Sequence, residues 1–378
     1  DKPDFRPTRP EPEELTGQLP SAGTGGPRPT QETAPGGLPE TGAAPGIPAA
    51  TSAGPPSRAS VVREGISQAV TMGGDGRSIR YYNPDDGRFY RADPDGTIRP
   101  LGNRQFFNVD SVHWENAADK AIMEFPDGSN IFYDFTEKRQ VTLPKHWEEF
   151  SFAGDDSLLA SKSIGQDPDN RFIVISHPDG TEARAIEALG SNADKAHIHW
   201  NPTGQIVGYA TTGDPQGSGQ QILFFGQNKE NFSAISAPGF GFLPNWSPSG
   251  KTLLFSVRDS TGNNKPLLWL ASGDPATLGA NRRSLNLNTW ADKCAWGTDA
   301  ELFCGVPKSL PDDAGLLRSQ YSSLPDDIYR IDVAAGTAVK ISTPEETFSL
   351  QSPRVNRDRT KLVFTDAATG KLYTYSLR

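Results

Sequence analysis

The chain has 378 residues and a formal net charge of −9, so it lacks the basic excess on which general nucleic-acid or anionic-membrane binding depends. No apolar run reaches the roughly 18 residues of a bilayer-spanning helix. Apolar residues make up 35% of the sequence, with 32 prolines and 38 glycines. Much of the proline lies at one end: residues 1–60 hold 13 of the prolines and one aromatic, Phe5.

Residues 1–59 are read as a disordered Pro/Gly/Ala-rich linker or stalk, because such a segment buries too little apolar surface to offset chain entropy. Leu38-Pro39-Glu40-Thr41-Gly42 matches a sortase sorting motif. It lacks the following hydrophobic segment and basic tail, and is read as chance. The chain begins at Asp1 rather than Met, which is compatible with a removed signal or anchor segment.

Residues 60–378 are read as one folded domain. Ser60–Glu64 is a lone strand, and a repeating pattern of short strands follows. Second strands of the repeat are expected at 78–83, 120–125, 157–163, 205–212, 252–258, 301–306 and 361–367. Third strands are expected at 88–93, 130–135, 171–176, 221–226, 266–271, 327–332 and 371–376. Turn signals such as Asp93-Pro94-Asp95-Gly96 and Pro126-Asp127-Gly128 separate them. The repeat is clearest at Trp246-Ser247-Pro248-Ser249-Gly250-Lys251, which leads into the strand Thr252–Arg258. Aligned on Trp246, the equivalent positions are Met72, Trp114, Phe152, Trp200, Trp296 and Val355.

A period of roughly 40–50 residues built from short strands predicts a seven-bladed antiparallel β-propeller, six or eight blades being the alternatives. The last repeat lacks an outer strand, so Ser60–Glu64 is expected to supply it and close the ring.

The Trp-Ser-Pro-Ser-Gly-Lys turn at 246–251 resembles the PD40 repeat of TolB-like propellers, a WD40-like family. Asn201-Pro202-Thr203-Gly204 after Trp200 is a weaker copy. The resemblance covers residues 66–378. It implies an interaction platform and carries over no catalytic residue.

No Gly-x-Ser-x-Gly elbow, P-loop, Rossmann glycine run or zinc-type cysteine spacing occurs, so no catalytic residue, cofactor or metal is expected. His197 and His199 share a strand face, and His113 stands at the position equivalent to His199. They are read as packing residues rather than metal ligands. If Trp296 pairs with Leu302, Cys294 faces Cys304, and a cross-strand disulfide is expected. That bond would imply an oxidising, extracytoplasmic location at the cell surface, in the periplasm or outside the cell.

Segments entering the inner strands share one face of a propeller with the loops joining second and third strands. On that face lie Phe106 and Asp110, Trp147 and Glu148, Asp194, Lys195 and His197, Phe240 and Phe242, and Trp290, Asp292 and Lys293. Aromatics with charges of both signs around a mouth suit a protein or peptide partner. The competing reading is that the rings cap gaps between blades. The long loop Pro307–Pro325 enlarges the same face. The expected function is therefore non-enzymatic recognition. The alternative is a glycan-binding or glycan-cleaving propeller, whose acids would be sought among Asp110, Glu148, Asp194 and Asp292.

Overall fold

A computed structural model describes residues 59–377, apart from 214–218, 231 and 344. The expected N-terminal linker and the motif at 38–42 lie outside the described residues. The described chain forms seven antiparallel sheets of four strands each, a seven-bladed β-propeller. The inner strands are Gln68–Met72, Ser111–Trp114, Trp147–Phe152, Ala196–Ile198, Phe240–Trp246, Cys294–Thr298 and Leu350–Val355, which number blades 1 to 7. Every expected second and third strand is present.

The ring closes with strands from both ends of the domain. Ala59–Arg63 forms the outer strand of blade 7, with Ala59 opposite Tyr375, Ser60 opposite Thr374 and Val61 opposite Tyr373. The pairing removes a free sheet edge at Leu372–Ser376.

Packing explains why the blades need one another. The apolar residues of each four-stranded sheet are buried against the next sheet, not within one blade. Phe224 of blade 4, with Phe242, Trp246 and Phe255 of blade 5, belongs to one buried cluster. Leu254 and Leu270 of blade 5 join Leu302 and Ile331 of blade 6 in another. A fully buried ring of this size contributes about 1.5–3 kcal/mol, and an isolated blade would expose it.

The turns between first and second strands form a hydrogen-bonded belt on one face of the ring. In blade 5, Ser247 N–H donates to Thr252 O (2.9 Å) and Gly250 N–H to Ser247 O (2.8 Å). Gly250 takes a φ of 70°, and a Cβ there would meet the Thr203 side chain of blade 4 at 2.8 Å. Neighbouring turns are then tied together. Ser249 N–H donates to Asp299 (3.0 Å), Asn116 N–H to Asp156 (2.8 Å), Gly74 N–H to Ala117 O (2.8 Å) and Arg357 N–H to Gly76 O (2.7 Å). This turn face is occupied by contacts that hold the ring. The opposite face carries the segments entering the inner strands and the long loop.

Candidate functional site

The axis of the ring contains a cavity of about 740 Å³, walled by the inner strands of blades 5 to 7, by His199, Trp200 and Pro202 just after that of blade 4, and by Arg318 and Ser322 of the long loop. A smaller cavity of about 320 Å³ lies among blades 1, 2 and 7, lined by Asp110, Ser111 and Gln351.

Bulges shape the inner strands. Register shifts fall between Gln68 and Thr71, Glu148 and Ser151, Phe240 and Leu243, and Gln351 and Arg354. Ala69, Glu149, Gly241 and Ser352 have positive φ at these points. An extra residue in the strand reverses the side-chain alternation beyond it.

The bulge at Glu149 directs its carboxylate toward blade 4. It accepts from Lys162 Nζ (2.9 Å) and from Ile198 N–H (3.1 Å), and lies 3.5 Å from His197 Nδ1. Burial alone would raise this carboxyl. The hydrogen bonds from His197 and Lys162, with the lysine charge, outweigh burial and hold it at about 2. Glu148, also expected at the mouth, pairs with the same lysine at 3.3 Å.

At the inner end of blade 6 Lys293 reaches Asp326 of the same blade at 2.7 and 3.0 Å, with side-chain exposures of 5% and 0%. The contacts across to blade 7 are Leu350 N–H donating to Asp326 (2.7 Å) and Lys293 Nζ donating to Ser349 Oγ (3.3 Å). Burial pushes its carboxyl up to about 6 against the opposing pull of Lys293. Lys293 therefore fastens two blades and is not a free cation at the surface.

The aromatic expectation needs correction. Phe106, Trp147, Phe242 and Trp290 are buried, not displayed as surface anchors. Phe106 packs edge-on against Tyr133 at 5.1 Å, and Phe242 lies 5.2 Å from Phe255. Trp147 joins Ile122, Leu143 and Phe150, and Trp290 carries Arg318 over its ring at 5.6 Å. The physical reason is the wedge between radiating sheets, which large rings fill as they enter the inner strand. Phe240 is half-buried.

The charged candidates are dispersed. Asp292 is bound to Arg318 of the long loop, and both line the axial cavity. Asp110 is exposed and lines the smaller cavity. Asp194 and Lys195 are exposed on a 3₁₀ turn before blade 4, and His197 packs against Tyr209 at 5.3 Å. Among the described residues no group of three or more His, Cys, Asp or Glu is arranged to hold a metal ion.

The long loop is built rather than loose. Asp313 N–H donates to Asn263 O (2.8 Å) and Gly315 N–H to Asn264 O (2.8 Å), which dock the loop on blade 5. Asn264 Nδ2 adds a bond to Asp313 (2.8 Å), and Ser349 Oγ donates to Ser322 O (2.8 Å) on blade 7. Docked in this way, the loop leaves Leu316 and Leu317 50% and 44% exposed.

Of two further cavity residues, the sequence reading took His199 for a packing residue and did not single out Arg354. His199 and Arg354 both line the axial cavity. They occupy one repeat position, just before the aligned residue, which reads Thr71, His113, Ser151, His199, Asn245, Ala295 and Arg354 around the ring. That position is polar in six of seven repeats, a usable signal for a girdle around the axis. Burial lowers His199 to about 4, and its Nδ1 is closed off without a hydrogen-bond partner.

Cys294 and Cys304 are opposed across blade 6, as are Trp296 and Leu302, and the two sulfurs are bonded.

The sequence matches no family model and no curated protein sequence. Solved structures do resemble the fold. The β-propeller domain of Cps50 (Swd1) from Myceliophteria thermophila is 13% identical, with a TM-score of 0.55 over 85% of this chain and 100% of that one. An oligogalacturonate lyase in complex with manganese is 12% identical, with a TM-score of 0.60 over 85% of this chain and 93% of that one. The tricorn protease is 11% identical, with a TM-score of 0.54 over 86% of this chain and 34% of that one. At these identities the likeness is one of fold, and the chain is a seven-bladed β-propeller.

Proposed function

We propose that this chain is a non-enzymatic recognition propeller that binds a protein or peptide on its loop face. The observation that carries the reading is an asymmetry of exposed apolar side chains. Among the described residues seven large apolar side chains are exposed: Val61, Ile66, Ile98, Phe107, Leu223, Leu316 and Leu317. Ile66, Phe107, Leu316 and Leu317 lie in loops of the face that carries the long loop, and the other three lie on outer or third strands. The turn face has none. Exposed apolar groups rimmed by charge mark interaction surfaces, and a face already consumed by inter-blade bonds is a poor competitor.

The carboxylates considered for glycan cleavage do not support an acid pair. Each axial cavity is lined by one of them, Asp292 in the larger and Asp110 in the smaller, and Asp292 is neutralised by Arg318. The turn at 246–251 favours grouping with TolB-like propellers, and the Cys294–Cys304 bond favours an extracytoplasmic setting.

The test is site-specific photocrosslinking in cells. A photoreactive residue at Leu317 is expected to give a discrete adduct, and one at Lys251, exposed on the turn face, to give none. Equal labelling from both positions would overturn the assignment of the face.

A further inference from the structure

The axial cavity holds a charge that the fold leaves unused. Three cationic side chains line it: Lys293, Arg318 and Arg354. Lys293 is bound to Asp326 and Arg318 to Asp292. Arg354 has no carboxylate partner among the described residues, and its hydrogen bond goes to the carbonyl of its own neighbour, Pro353 (2.9 Å). It comes from the bulged inner strand of blade 7, and the equivalent residue of blade 6 is Ala295, whose small side chain leaves room beside it.

The girdle at this level contains no acid. His113 turns aside to Glu124 (2.9 Å), Ser151 accepts from Trp200 N–H (3.2 Å), and Asn245 donates to Ala291 O and Cys294 O (2.9 Å each). His199, on the opposite side of the ring from Arg354, lines the cavity as a neutral ring at neutral pH. Gln351 and Ser352 beside Arg354 have side chains with no hydrogen-bond partner among the described residues, and both line the cavity. Arg354 is exposed to the water of the cavity, with protein walls around it. A cation in such a setting attracts an anion more strongly than one on the open surface.

We propose that Arg354 is the anchor of an anion site in the axial channel and that the site takes a carboxylate group of a ligand. The planar guanidinium matches a carboxylate in bidentate geometry. One unpaired positive charge with a neutral histidine balances one negative charge, which favours a carboxylate over a doubly charged phosphate. A cavity of about 740 Å³ is within the size range of small-ligand sites. The inference does not rest on the loop-face reading. The channel experiment can fail while Leu317 still crosslinks, and the reverse also holds.

The experiment is an NMR titration of arginine-labelled protein, with the Arg354 Nε–H signal assigned by its loss in Arg354→Lys. Acetate is the first probe, at constant ionic strength against chloride. A saturable shift of the Arg354 signal is expected, with a dissociation constant on the order of 1–10 mM for so small a ligand. In the variants binding is read from the Nε–H signal of Arg318, which lines the same cavity; Arg354→Gln should weaken it by roughly tenfold to a hundredfold, the loss of one charge-assisted contact, without lowering Tm. Arg354→Lys should restore part of it. An N-acetyl tripeptide acid, compared with its amide, then identifies the source. Preference for the acid over both amide and acetate marks a peptide carboxyl terminus, and equal binding of acid and acetate marks a free small carboxylate. The proposal is overturned if acetate causes no saturable shift, if inorganic phosphate binds more tightly than acetate, or if Arg354→Gln binds acetate as the natural protein does.

Discussion

Lys293→Met offers a strong test of how the ring is held. The lysine and Asp326 are 5% and 0% exposed, and 2.7 Å apart. Removing one partner leaves the carboxylate buried without a counter-charge, a loss of about 3–5 kcal/mol. The cost must also depend on pH. Asp326 is already raised from 3.8 to about 6 by burial with the lysine present, and loses that opposing pull in the variant. Its folded value therefore lies above its unfolded value, so the folded state binds the extra proton. Stability from this group is present at low pH and is lost as pH rises through the folded value. Urea unfolding at pH 8 and pH 5 should show a large deficit for Lys293→Met at pH 8 and a clearly smaller one at pH 5. Lys293→Met combined with Asp326→Asn keeps an acceptor for Leu350 N–H and should recover much of the loss at pH 8. A deficit below about 1 kcal/mol, or one equal at the two pH values, would refute the buried pair of blade 6, with its bonds to Ser349 and Leu350, as a fastening to blade 7.

Closure and cross-linking give further expectations. A chain beginning at residue 58 keeps the pairing of Ala59–Arg63 with Leu372–Ser376, and one beginning at residue 67 loses it; calorimetry should find a sharply lower Tm for the second alone. The Cys294–Cys304 bond closes a short loop of sequence separation 10, so the double alanine variant should lose about 2–3 kcal/mol, and the native protein should show no titratable thiol without reductant. His199 lies at about 4 when folded against an ordinary 6.5. The unfolded chain takes up that proton first, so stability falls as pH drops from 6.5 toward 4, by up to about 3 kcal/mol. Asp326 acts in the opposite sense over part of that range, so the check is the difference between the natural protein and His199→Gln, in which this slope should vanish.

The sequence was most legible where the backbone repeats. Turn residues such as Pro248 and Gly250 and the β-rich runs after them located the strands, and a missing outer strand at the C-terminal end pointed to Ser60–Glu64. The opposition of Cys294 and Cys304 followed from a single register, Trp296 with Leu302. What the sequence concealed was side-chain direction on the inner strands. Bulges at Ala69, Glu149, Gly241 and Ser352 break the period of two. Simple alternation could not tell that Trp147 faces the blade core, that Glu149 rather than Glu148 carries the inter-blade contacts, or that Arg354 reaches the channel. The exposed Leu316 and Leu317 depended on where the long loop docks, which is set by Asn263 and Asn264 some 49 residues away in sequence.

The division of the ring into a structural turn face and a recognising loop face is tested most directly by two sets of variants read with one crosslinker at Phe107, which is 52% exposed on the loop face. Asp156→Ala and Asp299→Ala cut the belt of the turn face, at Asn116 and Ser249 respectively. They should lower Tm and leave the Phe107 adduct of the folded protein unchanged. Leu316→Asp with Leu317→Asp alters exposed positions of the docked loop. It should leave Tm nearly unchanged and abolish the adduct. An adduct that survives the leucine changes, or one lost with either belt variant while the fold is retained, would contradict the assignment of recognition to the loop face.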